Sequence, residues 1–96
     1  MEVVYTEKSR EDLQKLPRNI RKVVKEELEK LSSKKLDYRK VGLIKTRKRD
    51  YFRLKIRDKD ANPQLNHRII FDIVKKDDEN IIQVEIIAHR DDIEYS

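Results

Sequence analysis

Several residue types are absent or rare in this chain of 96 residues, and each absence excludes a class of protein. There is no cysteine, which excludes disulfide bonds and thiolate metal sites and suits a reducing cytoplasm. The single glycine and two prolines exclude a linker-like or fibrous chain. No apolar run approaches the ~20 residues of a membrane span, and MEVVYTEKSR lacks the apolar core of a signal peptide. We therefore expect one cytoplasmic domain, residues 1–96, that does not enter a membrane.

Charged residues are abundant and unevenly distributed. They make up 45% of the chain, and the mean hydropathy of −0.94 would by itself permit disorder, but the apolar residues cluster in periodic runs. Residues 41–68 hold nine Lys and Arg against three acidic residues, whereas residues 69–96 hold three against eight. A concentrated basic segment attracts polyanions, chiefly nucleic acid or acidic protein segments. The alternative is a solvated, Lys-rich surface of the kind found in thermophiles, and charge alone does not decide between them.

Hydrophobic periodicity predicts an α+β domain with the element order β-α-α-(β)-β-β-β. Thr6 suits the N-cap of the first helix, and Pro17 suits the first turn of the second. The predicted strands cover residues 2–6, 41–45, 51–57, 67–74 and 81–89, and the predicted helices cover residues 7–16 and 18–33. A loop over residues 58–66 and a turn over residues 75–80 separate the last three strands. These strands should therefore form a twisted antiparallel sheet, with the N-terminal strand and the helix hairpin packed on one face.

Alternation along the strands assigns the two faces of this sheet. The side chains predicted to face the helices are Phe52, Leu54, Ile56, Ile69, Phe71, Ile73, Ile82, Val84, Ile86 and Ala88. The uncovered face should collect Tyr51, Arg53, Lys55, Arg57, Arg68, Gln83, Glu85, Ile87 and His89, with Arg90 and Tyr95 just beyond it. Cations at alternate positions of one strand lie ~7 Å apart and repel each other. A bound polyphosphate or acidic peptide would relieve this repulsion, and the alternative is a merely solvated face.

The segments YFRLKIRD and HRIIFDI, and the ending AHRDDIEYS, resemble the RelE/ParE superfamily of type II toxins. The resemblance covers essentially the whole chain and implies a RelE-like α+β fold. It also implies a cognate RelB-like antitoxin, with the toxin alone being a monomer. RelE-like members cut mRNA on the ribosome and thereby block translation. ParE-like members inhibit DNA gyrase and lack the nuclease residues.

The resemblance also implies a set of site residues. The predicted catalytic residues are Arg68, His89, Arg90, Tyr95 and Lys55, and the predicted RNA-binding residues are Arg53, Lys55, Arg57 and Tyr51. Because all these polar positions are filled, the resemblance favours an endoribonuclease that needs no metal or cofactor. A ParE-like inhibitor and a plain nucleic-acid-binding domain are the alternatives. His67 is expected at the surface or at an edge, and a metal site built on it and His89 would lack further ligands.

RNA cleavage by the 2′-hydroxyl is an in-line displacement at phosphorus, and its chemistry suggests a role for each residue type. The enzyme must remove the 2′-hydroxyl proton, stabilise charge on phosphorus and protonate the 5′-oxygen. Arginine and lysine side chains suit the phosphate oxygens. Histidine has an ordinary pKa of about 6.5, so His89 is the natural proton carrier. Tyr95 could stack on a base or accept a proton, and the sequence leaves open which group is the acid and which the base.

Overall fold

The computed structural model describes residues 1–34, 40–58 and 62–92, and these form two helices against one sheet. In chain order the elements are β1 (Glu2–Tyr5), α1 (Glu7–Lys15), α2 (Arg18–Ser32), β2 (Val41–Lys45), β3 (Asp50–Asp58), β4 (Asn62–Lys76) and β5 (Glu79–His89), followed by a 3₁₀ turn at Arg90–Asp92. The described sheet has five strands in the order β1-β5-β4-β3-β2. All its pairings are antiparallel except that of β1, which runs parallel to β5. The predicted α+β fold is confirmed, with one correction. The N-terminal strand does not pack on a face of the sheet with the helices but joins the sheet as an edge strand, parallel to β5.

The helix hairpin is held by side chains that satisfy helix ends. Thr6 caps α1 as predicted, since its hydroxyl oxygen accepts a hydrogen bond from the Ser9 backbone N–H at 3.1 Å. Pro17 precedes α2 at the N-cap position. Arg21, in the first turn of α2, connects the two helices. Its guanidinium donates to the last carbonyls of α1, at distances of 3.0 to 3.2 Å: Leu13, Gln14 and Leu16. The Leu13 carbonyl also accepts from the Leu16 N–H at 3.3 Å. Because the last carbonyls of a helix have no following helical turn to donate to them, these bonds allow Arg21 to tie the two helices together.

The hydrophobic core lies between the helices and one face of the sheet. Its buried members are Leu13, Ile20, Val24, Leu28, Leu31, Leu54, Ile56, Leu65, Ile69, Phe71, Ile82, Val84 and Ile87. Phe71 is 1% exposed and stacks on Phe52 with ring centroids 5.5 Å apart. The predicted inward side of β3 and most of the predicted inward side of β4 are therefore correct. Ile73, at the far end of β4, is 39% exposed.

A bulge in β5 corrects the predicted faces of that strand. Ile70 pairs with Ile86 and Phe71 pairs with Val84, so Glu85 is an extra residue without a cross-strand partner. An extra residue reverses the alternation for everything that follows it. Ile87 is consequently buried in the core at 2% exposure, and Ile86 lies on the opposite face. The prediction that Ile86 and Ala88 point inward, and Ile87 outward, is wrong.

Helix α1 supplies hydrogen bonds to the backbone around this bulge. The Thr6 N–H donates to the Val84 carbonyl at 3.1 Å, and the Thr6 hydroxyl donates to the Glu85 carbonyl at 3.3 Å. The Ile87 N–H donates to the Asp12 carboxylate at 3.1 Å. Backbone groups displaced from the strand ladder are therefore paired, which makes the bulge a stable feature of the fold.

Strands β3, β4 and β5 are longer than predicted. The ladder joins Arg57 to Asn66 and, after a register shift, Asp58 to Asn62. Much of the predicted loop over residues 58–66 is therefore strand, and residues 59–61 of that loop lie outside the described residues. The predicted turn over residues 75–80 shortens to two residues, Asp77 and Asp78, with φ of 51° and 66°. Positive φ at both central residues matches the twist of a tight hairpin.

Candidate functional site

The face of the sheet away from the helices carries the cation row, as alternation predicts. Arg53, Lys55 and Arg57 alternate in β3 with the buried residues of that strand. Arg68 in β4 pairs directly with Lys55, so both side chains lie on this uncovered face. We call this set, together with Arg90, the cation face.

Lys55 is at the centre of the cation face. Its pKa is lowered from the ordinary lysine value, chiefly by the charge of Arg53 and then by partial desolvation. Arg68, Arg57 and Arg90 lower it further. Four guanidinium groups thus act on one exposed ammonium group, which places Arg90 within electrostatic reach of the row. Repulsion of this kind is relieved when an anion binds, so the face is suited to a ligand with several negative charges.

A glycine on the neighbouring strand positions Arg53. Gly42 in β2 pairs with Arg53, and a Cβ atom at Gly42 would lie only 2.8 Å from the Arg53 Nη2 atom. The guanidinium therefore lies over Gly42, in space that the side chain of any other residue would occupy. Its Nε atom is buried and has no hydrogen-bond partner in the described part of the chain. This contact is not among the predictions from the sequence, although a lone glycine within a strand is a known sign of close approach.

Arg68 is held in place more tightly than the sequence predicts. The residue is 6% exposed, and its Nη1 atom donates to the Asn66 side-chain oxygen and to the His67 carbonyl, both at 3.0 Å. Arg68 is the cross-strand neighbour of Lys55, and its charge adds positive potential there. The exposed side chains of Lys55 and Arg57 are the ones that a ligand meets first.

His89 does not join the cation face, because the bulge reverses the end of β5. It pairs with His67, on the same side of the sheet as buried Ile69 and Ile87. The two imidazole rings meet edge to face, with centroids 5.2 Å apart. The predicted position of His89 on the cation face is wrong. The prediction that His67 is a surface or edge residue is also wrong, since it is only 5% exposed.

The histidine pair is connected to the 3₁₀ turn. The Nδ1 atom of His89 accepts a hydrogen bond from the Asp91 N–H at 3.2 Å and lies 3.5 Å from the Asp91 carboxylate. Burial lowers the pKa of His67, and the neighbouring His89 and Arg68 act in the same direction, while Asp92 acts against them. This end of the sheet therefore anchors the turn that carries Arg90. Tyr95, the remaining predicted site residue, lies outside the described residues.

The uncovered face also has an apolar strip beside its cations. Ile70 pairs with Arg53 on one side and with Ile86 on the other, and Ile70 is 6% exposed even though the helices cover the opposite face. Ala88 pairs with Arg68 next to it. A ligand on this face would meet a basic strand and an adjoining apolar strip.

Neither a metal cluster nor a membrane helix occurs in the described ranges. No group of three or more His, Cys, Asp or Glu side chains there could hold a metal ion. Among the same residues, no helix is long and apolar enough to cross a membrane.

Comparisons with known proteins agree with this architecture. Residues 3–93 match the model of a family described as the ParE toxin of type II toxin–antitoxin system, parDE. A solved structure with a similar chain is the toxin–antitoxin complex RelBE2 from Mycobacterium tuberculosis. The two chains are 24% identical, with a TM-score of 0.67 over 93% of this chain and 96% of the other. No curated protein matches. Since the family model covers almost the whole sequence, the chain belongs to the ParE toxin family and is a type II toxin of the RelE/ParE superfamily.

Proposed function

We propose that this toxin is a RelE-like endoribonuclease that cleaves mRNA on the ribosome, with the cation face as its phosphate-binding surface. The observation that carries the proposal is the row of Arg53, Lys55 and Arg57 on the uncovered side of β3, extended by Arg68, which pairs with Lys55 from β4. Such a cluster is unfavourable in the free protein and is stabilised by a polyphosphate strand. Arginine also binds phosphate oxygens in a fixed, bidentate geometry, which suits positioning for an in-line reaction.

The geometry suggests a division of roles on this face. Arg53, Arg57 and Arg90 hold phosphate oxygens, and the buried Arg68 adds positive potential from the neighbouring strand. Lys55 accepts the 2′-hydroxyl proton, because its neighbours lower its pKa and thereby increase the fraction of neutral amine. The 2′-oxygen then bonds to phosphorus, the bond to the 5′-oxygen breaks, and that oxygen takes a proton from solvent.

His89 has a different role in this proposal from the one that the resemblance implies. It lies on the covered side of the sheet and contacts Asp91. We therefore assign it to holding the 3₁₀ turn that presents Arg90, and not to proton transfer. Tyr51 lies on the uncovered face and is proposed to contact RNA.

A primer-extension assay on translated mRNA, with and without ribosomes, tests the proposal. Lys55→Arg keeps the charge but has no usable proton acceptor, so we expect cleavage to fall about 10²- to 10⁴-fold while RNA binding is retained. Lys22→Arg makes the same change on the exposed side of α2 and is the matched control. Wild-type cleavage by Lys55→Arg, or no cleavage by the wild-type protein, contradicts the proposal.

Inhibition of DNA gyrase is the second candidate, and the match to a ParE family model favours it. The two activities separate in one experiment with the same purified protein. A supercoiling assay reports on gyrase, and primer extension reports on mRNA. Inhibition of supercoiling without mRNA cleavage would select the gyrase target.

We also propose a cognate antitoxin as the partner of this chain. The similar solved structure is that of a toxin–antitoxin complex, and the uncovered face pairs cations with the apolar strip at Ile70 and Ile86. This combination suits an amphipathic segment with acidic residues. Such a segment should compete with single-stranded RNA, and fluorescence anisotropy with both ligands measures that competition. Simultaneous binding of the two without loss of affinity would place the antitoxin elsewhere.

A further inference from the structure

The turn between β2 and β3 is built as a closed unit. Thr46 donates its backbone N–H to the Arg49 carbonyl at 3.3 Å, and its hydroxyl oxygen accepts from the Arg49 N–H at 3.2 Å. Arg47 and Lys48 stand exposed at the tip between them. The backbone that carries these two cations is therefore ordered before any ligand arrives.

An open depression of about 550 Å³ adjoins this turn, lined by Thr46, Arg47, Lys48 and Tyr51. The Arg49 guanidinium carbon lies 5.6 Å from the centre of the Tyr51 ring. Arg49 is itself fixed by Asp72, whose carboxylate lies 3.3 Å from Arg49 Nη2. The Tyr51 ring is thus supported by a stacked cation, while part of it borders the depression.

The chemistry of this depression matches one nucleotide. An aromatic ring offers a stacking surface that any base can use, and two nearby cations suit the phosphate attached to it. Tyr51 lies on the same face as Arg53 and Lys55, and its Cα is ~13 Å along the strand from that of Lys55. A single strand bound along β3 would reach the depression after a few nucleotides.

We infer that the depression at the β2–β3 turn is a nucleotide subsite, in which a base stacks on Tyr51 and its phosphate contacts Arg47 and Lys48. The inference deepens the proposed function, since it names where the RNA strand is held away from the scissile phosphate. An acidic segment of a protein partner would also meet the two cations. Such a segment would not need the ring supported by Arg49, so the observations favour RNA.

Fluorescence anisotropy with short single-stranded RNAs tests the subsite independently of cleavage. One RNA in the series is unmodified, and each of the others carries one abasic nucleotide at a different position. In the wild-type protein, one abasic position should weaken binding by about 5- to 100-fold, which is the range expected for loss of one stacked base. Tyr51→Ala should abolish that difference, whereas Tyr51→Phe should preserve it.

Salt dependence tests the two cations. The Arg47→Ala/Lys48→Ala variant should reduce the slope of log affinity against log salt by about 0.7, because the two cations contact one phosphate and each phosphate neutralised on a single strand contributes about 0.7. Arg18→Ala/Lys22→Ala removes the same charge from exposed positions of α2 and should leave the slope nearly unchanged.

Four outcomes would overturn the subsite. The first three are no RNA binding by the wild-type protein, an abasic effect that survives Tyr51→Ala, and an equal change of slope in both double variants. The fourth is that the substitutions at Tyr51, Arg47 and Lys48 weaken binding of the antitoxin but not of RNA. If the wild-type protein shows the abasic effect but does not cleave mRNA on the ribosome, the nuclease proposal is refuted and the subsite is retained.

Discussion

Gly42→Ala should separate the function of the cation face from the stability of the fold. The new methyl carbon would lie 2.8 Å from Arg53 Nη2, against an ordinary non-bonded separation of about 3.5–4.0 Å. The guanidinium must therefore move by about 1 Å. It is the end of a flexible side chain, so this movement is inexpensive. Replacing a glycine within a strand also gains about 0.5–1 kcal/mol, so the free energy of unfolding should stay constant or rise slightly.

Activity should respond in the opposite direction. A displacement of about 1 Å in a positioning group can reduce a rate by about 10²-fold. Neighbouring cations compensate in part, so we expect mRNA cleavage to fall about tenfold. Leu43→Ala is the matched control, because Leu43 neighbours Gly42 on the same strand but is 54% exposed on the other face.

A double-mutant comparison identifies Arg53 as the cause. In an Arg53→Ala background the guanidinium is gone, so Gly42→Ala should have no further effect on cleavage. The assays are ribosome-dependent primer extension and thermal melting of all four proteins. Wild-type cleavage by Gly42→Ala, or independent effects of the two substitutions on the rate, would refute the positioning of Arg53 by Gly42.

Three further predictions concern stability. Burial lowers the pKa of His67, so below about pH 6.5 the unfolded state binds more protons and the free energy of unfolding should fall as the solution is acidified. Thermal melting between pH 8 and pH 5 measures this fall, and His67→Gln should make the melting temperature depend less on pH. An unchanged pH dependence in that variant would contradict the role of His67. Asp12→Ala should cost about 1–3 kcal/mol by unpairing the Ile87 N–H, whereas Asp12→Asn keeps an acceptor; equal melting temperatures would contradict this. Phe71→Ala should cost about 3–5 kcal/mol in urea unfolding, and a loss below about 1 kcal/mol would contradict its place in the core.

Alternation identified the faces of β3 and most of β4 because their ladder is continuous from Phe52 to Arg57. It failed in β5, where Ile86 and Ile87 are adjacent and the apolar pattern permits either residue to face the core. The choice depends on partners far away in sequence. Asp12 accepts a hydrogen bond from the Ile87 N–H, and the two residues are 75 positions apart in the sequence. The periodicity within a strand contains no information about that bond.

The remaining differences have the same physical origin. Arg21 looks like a solvent-facing helix residue, and only the antiparallel return of α2 brings it to the last carbonyls of α1. Gly42 and Arg53 are 11 positions apart, and their contact requires the register between β2 and β3. Predictions from composition and local spacing therefore succeed where residues of the same strand determine which face a side chain occupies. They fail where a side chain from another element completes the structure.

The bulge also determines how the proposed reaction should depend on pH. Because His89 lies with His67 on the covered side, a reaction on the cation face would take its base from Lys55, whose pKa its neighbours lower. A base acts when deprotonated, so an imidazole base would make the rate level off above about pH 7. With Lys55 as the base, single-turnover cleavage should still rise above pH 7, towards the lowered pKa of that amine. His89→Ala should keep this shape while lowering the rate, since it loosens only the turn that carries Arg90. A plateau near pH 7 that disappears in His89→Ala would instead identify His89 as the base.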